Sequence, residues 1–126
     1  MLWVAGMMMH LIPFANDTVT LVYKEGAQWS TAVIPGCSYR RIRRRMLMDS
    51  AVNQSEETVC RIPAGNPFPA PGDVILMGEH APQVGSEIEL SRLLEAFRPG
   101  GAFRVQSVAD NARPGMPIPH YAARGA

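Results

Sequence analysis

Apolar and polar residues alternate in several short segments of the chain, with the period of two that is typical of a half-buried β-strand. The alternation begins at DTVTLVY, residues 17–23, and is clearest in AFRVQSVADN, residues 102–111, where Phe103 and Val105 share a face. The same period, or a short apolar run, predicts further strands at residues 29–39, 58–63, 73–79 and 118–124. Within the second strand, Pro35 and Gly36 predict a bulge, a kink or an edge position.

One segment has a helical period instead. The apolar residues at positions i, i+3, i+4 and i+7 are Leu90, Leu93, Leu94 and Phe97. Two starts compete, because Ser86 with Glu89 has the spacing of a capping box, and Ser91 could cap a shorter helix. We predict the shorter helix, at about residues 91–98, ended by Pro99 and the two glycines that follow it.

About six strands, one short helix and no visible repeat predict a mainly β protein, either a small antiparallel barrel or a sandwich. The 126 residues and the 47% hydrophobic content are enough for one domain with one core. We expect that domain to span residues 17–126, with long loops at 40–57 and 64–72. Residues 1–16 are predicted to be a peripheral N-terminal extension, within which Met9 is a second candidate start. The predicted core residues are Leu93, Leu94, Phe97, Phe103, Val105 and Tyr121.

Charge is balanced over the whole chain but not along it. Twelve basic and eleven acidic residues give a net charge of +1, so the chain as a whole is not a polyanion binder. Five of the eleven arginines nevertheless fall within YRRIRRRM, residues 39–46, at positions Arg40, Arg41, Arg43, Arg44 and Arg45. In a strand, both faces of this segment would carry arginine and neither could be buried. We therefore expect a mobile loop, whose arginines are simply solvated, dock onto an acidic partner or contact nucleic acid.

No standard catalytic or phosphate-binding motif is present, and the three histidines are scattered. Cys37 and Cys60 lack metal-ligand spacing, so the alternatives are two buried free thiols or a cross-strand disulfide. No apolar run has the length that a membrane-spanning helix requires. We expect no enzymatic activity, no cofactor, no metal site and no membrane partner.

Four motifs of the second half carry a resemblance. PGDVILMGE, EIELSRLLEAF, FRVQSVADN and PHYAARG, in that order, resemble a family of small minor structural proteins from tailed phages and prophages. The resemblance covers residues 58–125 and extends to TVTLVY and VIPGCSY in the first half. The chain departs from the family pattern at Tyr39 and Tyr121, where the family commonly has tryptophan.

The resemblance implies a non-enzymatic virion protein of the head–tail connector, or head-closure, type. Such proteins form homo-oligomeric rings around the DNA channel, between the portal or adaptor protein and the tail proteins, and assemble in the cytoplasm of the bacterial host. The arginine segment would then face a neighbouring protein or packaged DNA. The alternatives are a tail-tube, tail-terminator or other minor tail component. A free nucleic-acid-binding module is less favoured, because aromatic residues do not alternate with basic ones along the strands.

Overall fold

The computed structural model describes residues 16–48, 51–112, 115 and 118–126, and it describes no side chain within 43–48 or 51–55. The strands are β1 (Asp17–Glu25), β2 (Gln28–Met48), β3 (Ala51–Pro63), β4 (Val74–Met77), β5 (Ala102–Asn111) and β6 (His120–Gly125). Helix α1 (Glu87–Phe97) and a 3-10 turn (Arg98–Gly100) lie between β4 and β5. The predicted N-terminal extension lies outside the described residues except for Asn16, so that prediction remains open.

The six strands form a closed antiparallel barrel in the order β1-β2-β3-β6-β5-β4. The prediction of a mainly β protein is therefore confirmed. Of the two predicted architectures, a barrel and a sandwich, the structure is the barrel. The short β4 completes the barrel, because it pairs with β1 on one side and with β5 on the other. Its residues Val74, Ile75 and Leu76 are all buried, since the interior covers one face of the strand and helix α1 covers the other.

Two bulges bend the strands of the barrel. The register between β1 and β2 shifts by one residue where Pro35 and Gly36 lie opposite Thr18, and Gly36 has a φ of 72°. The predicted bulge is thus confirmed. A second shift lies in β5 at Gln106, opposite β6. An extra residue in one strand increases the local twist, which helps so short a sheet to close.

The buried apolar residues form two separate clusters, so the expectation of a single core is wrong. The interior cluster consists of Val19, Leu21, Ile34, Cys37, Cys60, Ile62, Ile75, Phe103, Val105 and Ala123, with Tyr121 packed at its edge. The outer cluster consists of Val22, Val74, Leu76, Leu90, Leu94 and Ala102, with Leu93 and Phe97 half-buried beside it. The predicted core residues divide between the two clusters because some lie on strands and others on the helix. The strand residues Phe103, Val105 and Tyr121 belong to the interior cluster. The helix residues Leu93, Leu94 and Phe97 belong to the outer cluster, because helix α1 packs against the outside of the barrel wall.

Helix α1 begins four residues earlier than predicted. The Ser86 side chain accepts a hydrogen bond from the Glu89 backbone N–H at 3.2 Å, and the Glu89 carboxylate accepts one from the Gly85 N–H at 2.9 Å. The first bond satisfies a backbone donor that the first turn leaves without a partner, and the second ties the residue before the cap to the helix. The longer helix brings Leu90 onto the barrel wall, and this burial favours Ser86 over Ser91 as the cap.

The predicted loop at residues 40–57 is also wrong, because most of that segment is the distal part of a hairpin. β2 continues through all five arginines to Met48, and β3 begins at Ala51. Backbone pairing therefore outweighs charge repulsion here, and the strand needs no buried face because this part of it extends past the barrel. The other predicted loop, at residues 64–72, does lack helix and strand.

Candidate interaction site: the ribbon of β2 and β3

The distal part of the β2–β3 hairpin, residues 38–48 with residues 51–57, is here called the ribbon. β1 follows β2 only as far as the Asp17–Cys37 pair, and β6 follows β3 only as far as the Thr58–Gly125 pair. Beyond those points, β2 and β3 pair only with each other among the described residues. Seven residues of β3 at about 3.3 Å each carry the ribbon roughly 23 Å past the barrel wall.

Asp17 marks the base of the ribbon. Its carboxylate accepts a hydrogen bond from the Tyr39 backbone N–H at 2.9 Å, two residues beyond Cys37, the last residue of β2 that pairs with β1. The N–H of Tyr39 therefore points toward the β1 side of β2. Because N–H and C=O directions alternate along an antiparallel strand, the same outward direction holds for the backbone groups of Arg41, Arg43, Arg45 and Leu47.

The outer edge of β3 follows from the same alternation. Arg40, Ile42 and Arg44 direct their backbone groups inward, toward their register partners Val59, Glu57 and Ser55. Along β3, the residues that alternate with these partners, continued to the end of the strand, must then direct their N–H and C=O groups away from β2. In the ribbon these residues are Val52, Gln54 and Glu56. Each long edge of the ribbon thus presents a row of backbone donors and acceptors.

The two strands of the ribbon carry opposite charge. All five predicted partner-facing residues, Arg40, Arg41, Arg43, Arg44 and Arg45, lie on β2, and the side chains of Arg40 and Arg41 are exposed. The side chains of the other three are outside the described part of the protein. On β3, the two acidic residues of the ribbon are Glu56, which is exposed, and Glu57, which accepts a hydrogen bond from Arg124 at 3.2 Å.

A shallow cleft lies at the end of the barrel where the ribbon leaves it. It has a volume of about 310 Å³ and is lined by Arg41, Glu56, Thr58, Arg98, Pro99, Ala102 and Ala126. Its lining combines the guanidinium groups of Arg41 and Arg98 with the carboxylate of Glu56. The cleft therefore lacks the single sign of charge that would attract a phosphate.

Tyr39 occupies the barrel interior beside this cleft and packs edge-on against Phe103, with 5.8 Å between ring centroids. Burial raises the pKa of its phenol, and the nearby charge of Arg41 partly opposes that effect. Thr58 is close enough to influence the same pKa, yet the geometry leaves the Tyr39 hydroxyl without a hydrogen-bond partner among the described residues. The raised pKa favours the protonated phenol in this position.

The two histidines within the described residues, His80 and His120, each lie within hydrogen-bond distance of a backbone carbonyl group. His80 lies 2.9 Å from the Met77 carbonyl through Nε2, and its ring packs against Phe97 with centroids 4.6 Å apart. His120 lies 2.9 Å from the Ile118 carbonyl through Nδ1, and 3.2 Å from the Asn111 amide through Nε2. Both rings are thus engaged with nearby groups of the barrel.

Asp110 bonds locally, as expected for a residue at a strand end, and accepts from the Ala112 N–H at 2.9 Å. No group of three or more histidine, cysteine, aspartate or glutamate residues in the described ranges could hold a metal ion. The described part of the chain also contains no helix that is long and apolar enough to cross a membrane.

Cys37 and Cys60 are free, buried thiols in the barrel interior. A hydrogen bond with Cys37 raises the pKa of the Cys60 thiol, and burial raises it further. A raised pKa keeps the thiolate population low, and the thiolate is the nucleophile. Of the two alternatives that the sequence left open, the structure contains the free pair.

Sequence reasoning missed the acidic strand of the ribbon and the role of Asp17. A signal was available, because Asp49 and Ser50 are turn-forming residue types midway between the Tyr39 segment and the Cys60 segment. A hairpin centred there places Arg43 opposite Glu56 and Ile42 opposite Glu57.

Searches of curated proteins and of solved structures gave no match to the chain. A family model does match, over residues 14–126, which include the whole barrel, helix α1 and the ribbon. The chain therefore belongs to DUF6751, a family of unknown function.

Proposed function

We propose that the protein is a non-enzymatic structural subunit of a tailed phage or prophage particle. In this proposal it forms part of a homo-oligomeric ring at the head–tail connector, where the ring surrounds the DNA channel. Its neighbours are the portal or adaptor protein on one side and the tail proteins on the other.

The ribbon carries this proposal. A two-stranded hairpin is at best marginally stable by itself in water, and open sheet edges readily pair with other chains. A chain that keeps a ribbon of about 23 Å beyond a complete barrel has a part whose natural role is contact with something else. In a ring, each copy would contribute one such ribbon and five arginines to a common surface, so that individually weak charges act together.

Two further points support a structural role over a catalytic one. The four motifs that resemble small connector proteins of tailed phages correspond to the barrel strands β4, β5 and β6 and to helix α1, which packs against the outside of the barrel wall. The cleft at the base of the ribbon, in turn, combines side chains of opposite charge and is lined by neither histidine nor cysteine.

Reconstitution with the portal tests the proposal. The purified protein is mixed with the portal ring encoded in the same genome and imaged by negative-stain microscopy. We expect an added ring on the tail-facing side of the portal. In parallel, particles purified after induction of the prophage are analysed by mass spectrometry, and the protein should be present in a stoichiometry comparable with that of the portal.

A pair of matched variants separates the ribbon charges from charge in general. Arg40→Ser with Arg41→Ser removes two exposed charges of the ribbon, and Lys24→Ser with Arg92→Ser removes two exposed charges elsewhere. We expect the first double variant to bind the portal more weakly, with reduced salt dependence, and the second to bind normally. Absence of the protein from purified particles, together with no added ring on the portal, would contradict the proposed function.

A further inference from the structure

We propose that the ribbon pairs with the ribbon of a second copy of this chain in a head-to-tail manner, so that the β2 edge of one copy adds to the β3 edge of the next. This inference rests on the proposed ring and names the surface that holds it together. Repeated around an axis, the pairing would give one continuous antiparallel sheet, built from two strands per subunit.

The first argument is the backbone hydrogen-bond inventory. Arg41, Arg43, Arg45 and Leu47 direct their N–H and C=O groups from one edge, while Val52, Gln54 and Glu56 direct theirs from the other. Along neither edge does another strand of the described chain supply partners. A β3 edge placed beside a β2 edge allows backbone hydrogen bonds to form between the two rows, as in strand addition.

The second argument is charge. The β2 strand of the ribbon carries five arginines and no acidic residue, whereas the β3 strand carries Glu56 and Glu57 and no basic residue. A two-fold contact of β2 with β2 would bring ten arginines together, and directly opposed like charges destabilise a sheet. Contact of β2 with the β3 of a neighbour brings opposite charges together, so charge favours the head-to-tail arrangement over the two-fold one.

The third argument is direction. Within one ribbon β2 and β3 run antiparallel, so ribbons that point the same way place the β2 of one copy antiparallel to the β3 of its neighbour. A head-to-tail contact that repeats by rotation closes into a ring. In such a ring Arg43 lies near the level of the neighbour's Glu56, displaced by the stagger that a closed sheet requires.

The test uses the full-length chain with single cysteine substitutions, because Cys37 and Cys60 are buried and should be protected from reagents. Arg43→Cys, Glu56→Cys and Gln54→Cys are prepared separately, and all three should keep the melting temperature of the parent protein. Each variant alone, and Arg43→Cys mixed with each β3 variant, is treated at high concentration with a short bis-maleimide. The covalent products are then resolved by denaturing gel and mass spectrometry.

We expect a covalent dimer in the mixtures and almost none in any single variant. A dimer formed by Arg43→Cys alone would indicate a two-fold β2 contact and overturn the inference. Absence of product in both mixtures would overturn it too. A product that appears only after residues 1–13 are deleted would show that the chain's own N-terminal segment occupies the β2 edge, which also contradicts the proposal.

A second pair of variants tests the backbone directly. Arg43→Pro removes an outward N–H and leaves the β2–β3 ladder intact, whereas Arg43→Ser removes the same side-chain charge and keeps the N–H. We expect Arg43→Pro to lose oligomers on sedimentation and Arg43→Ser to retain them. Equal loss in both variants would assign the contact to charge alone and refute strand pairing.

The outcomes also separate this inference from the proposed function. Rings on the portal without cross-linked ribbons would support the connector role and refute the contact between ribbons. Cross-linked ribbons without any ring on the portal, and without the protein in purified particles, would support the contact between ribbons and refute the connector role.

Discussion

Replacement of Leu90 by alanine tests how helix α1 is attached to the barrel. Leu90 is fully buried in the outer cluster, against Val74 and Leu76 of β4. Removing three buried carbon groups costs about 2 kcal/mol at roughly 0.8 kcal/mol each, before any cavity is counted. The cavity left behind brings typical Leu→Ala losses to about 3–5 kcal/mol.

The loss should be near the lower end of that range. The outer cluster lies between one short helix and one wall of the barrel, so the helix can move inward and partly fill the cavity. We expect a decrease of about 3 kcal/mol in the free energy of unfolding. For a chain of this length that corresponds to a melting temperature lower by roughly 10 °C.

The matched control is Ile88→Ala on the same helix. Ile88 is 66% exposed, so its truncation should change the free energy of unfolding by less than about 0.5 kcal/mol. Both variants are measured by urea titration followed by circular dichroism, with thermal melts as a second readout. A loss below about 1 kcal/mol for Leu90→Ala, or equal losses for both variants, would refute the packing of α1 and its start at Ser86.

Three further predictions concern other parts of the barrel. Gly125→Ala should destabilise the protein by about 1–3 kcal/mol in thermal melts, because a Cβ there would collide with the Arg104 carbonyl; a neutral effect would contradict the close approach of β5 and β6. Burial raises the pKa of Asp73, so the folded protein binds that proton more tightly than the unfolded chain does. The free energy of unfolding, compared with that of Asp73→Asn, should therefore decrease as the pH rises from the ordinary aspartate pKa to the raised one. An increase over that range, measured by urea titration, would contradict the burial of Asp73. Cys37 and Cys60 should resist an aromatic disulfide reagent in the native state and both react in denaturant, and rapid labelling of the native protein would contradict the closed interior.

The sequence predicted most of the strands correctly because alternation reports one face of a sheet directly. Val19, Leu21 and Tyr23 share the barrel interior, and the bulge at Pro35 and Gly36 lies within the predicted strand. Periodicity could not show that the barrel wall has apolar residues on both faces. For that reason Phe103 and Leu94 were assigned to one core and lie in two.

The ribbon was the harder part to predict. Burial patterns identify strands that cover a core, and residues 40–57 cover none, so their pattern resembled a loop. The strand pairing is visible only in the register, where Arg40 lies opposite Val59 and Arg43 opposite Glu56. The predicted site therefore named the arginines of β2 and omitted the acidic strand that pairs with them, and contact of those arginines with a partner stays a prediction.

By itself the sequence determined the local structure: a β-rich chain, a short amphipathic helix, a bulge and a concentration of arginine. Those properties depend on neighbours within a few residues, which a linear pattern records. Only the tertiary structure decided that the strands close into a barrel, that Ser86 caps the helix, and that β2 continues with β3 beyond the wall. Each of these depends on contacts between distant segments, where the burial of Leu90 or the pairing of backbone groups outweighs the local preference.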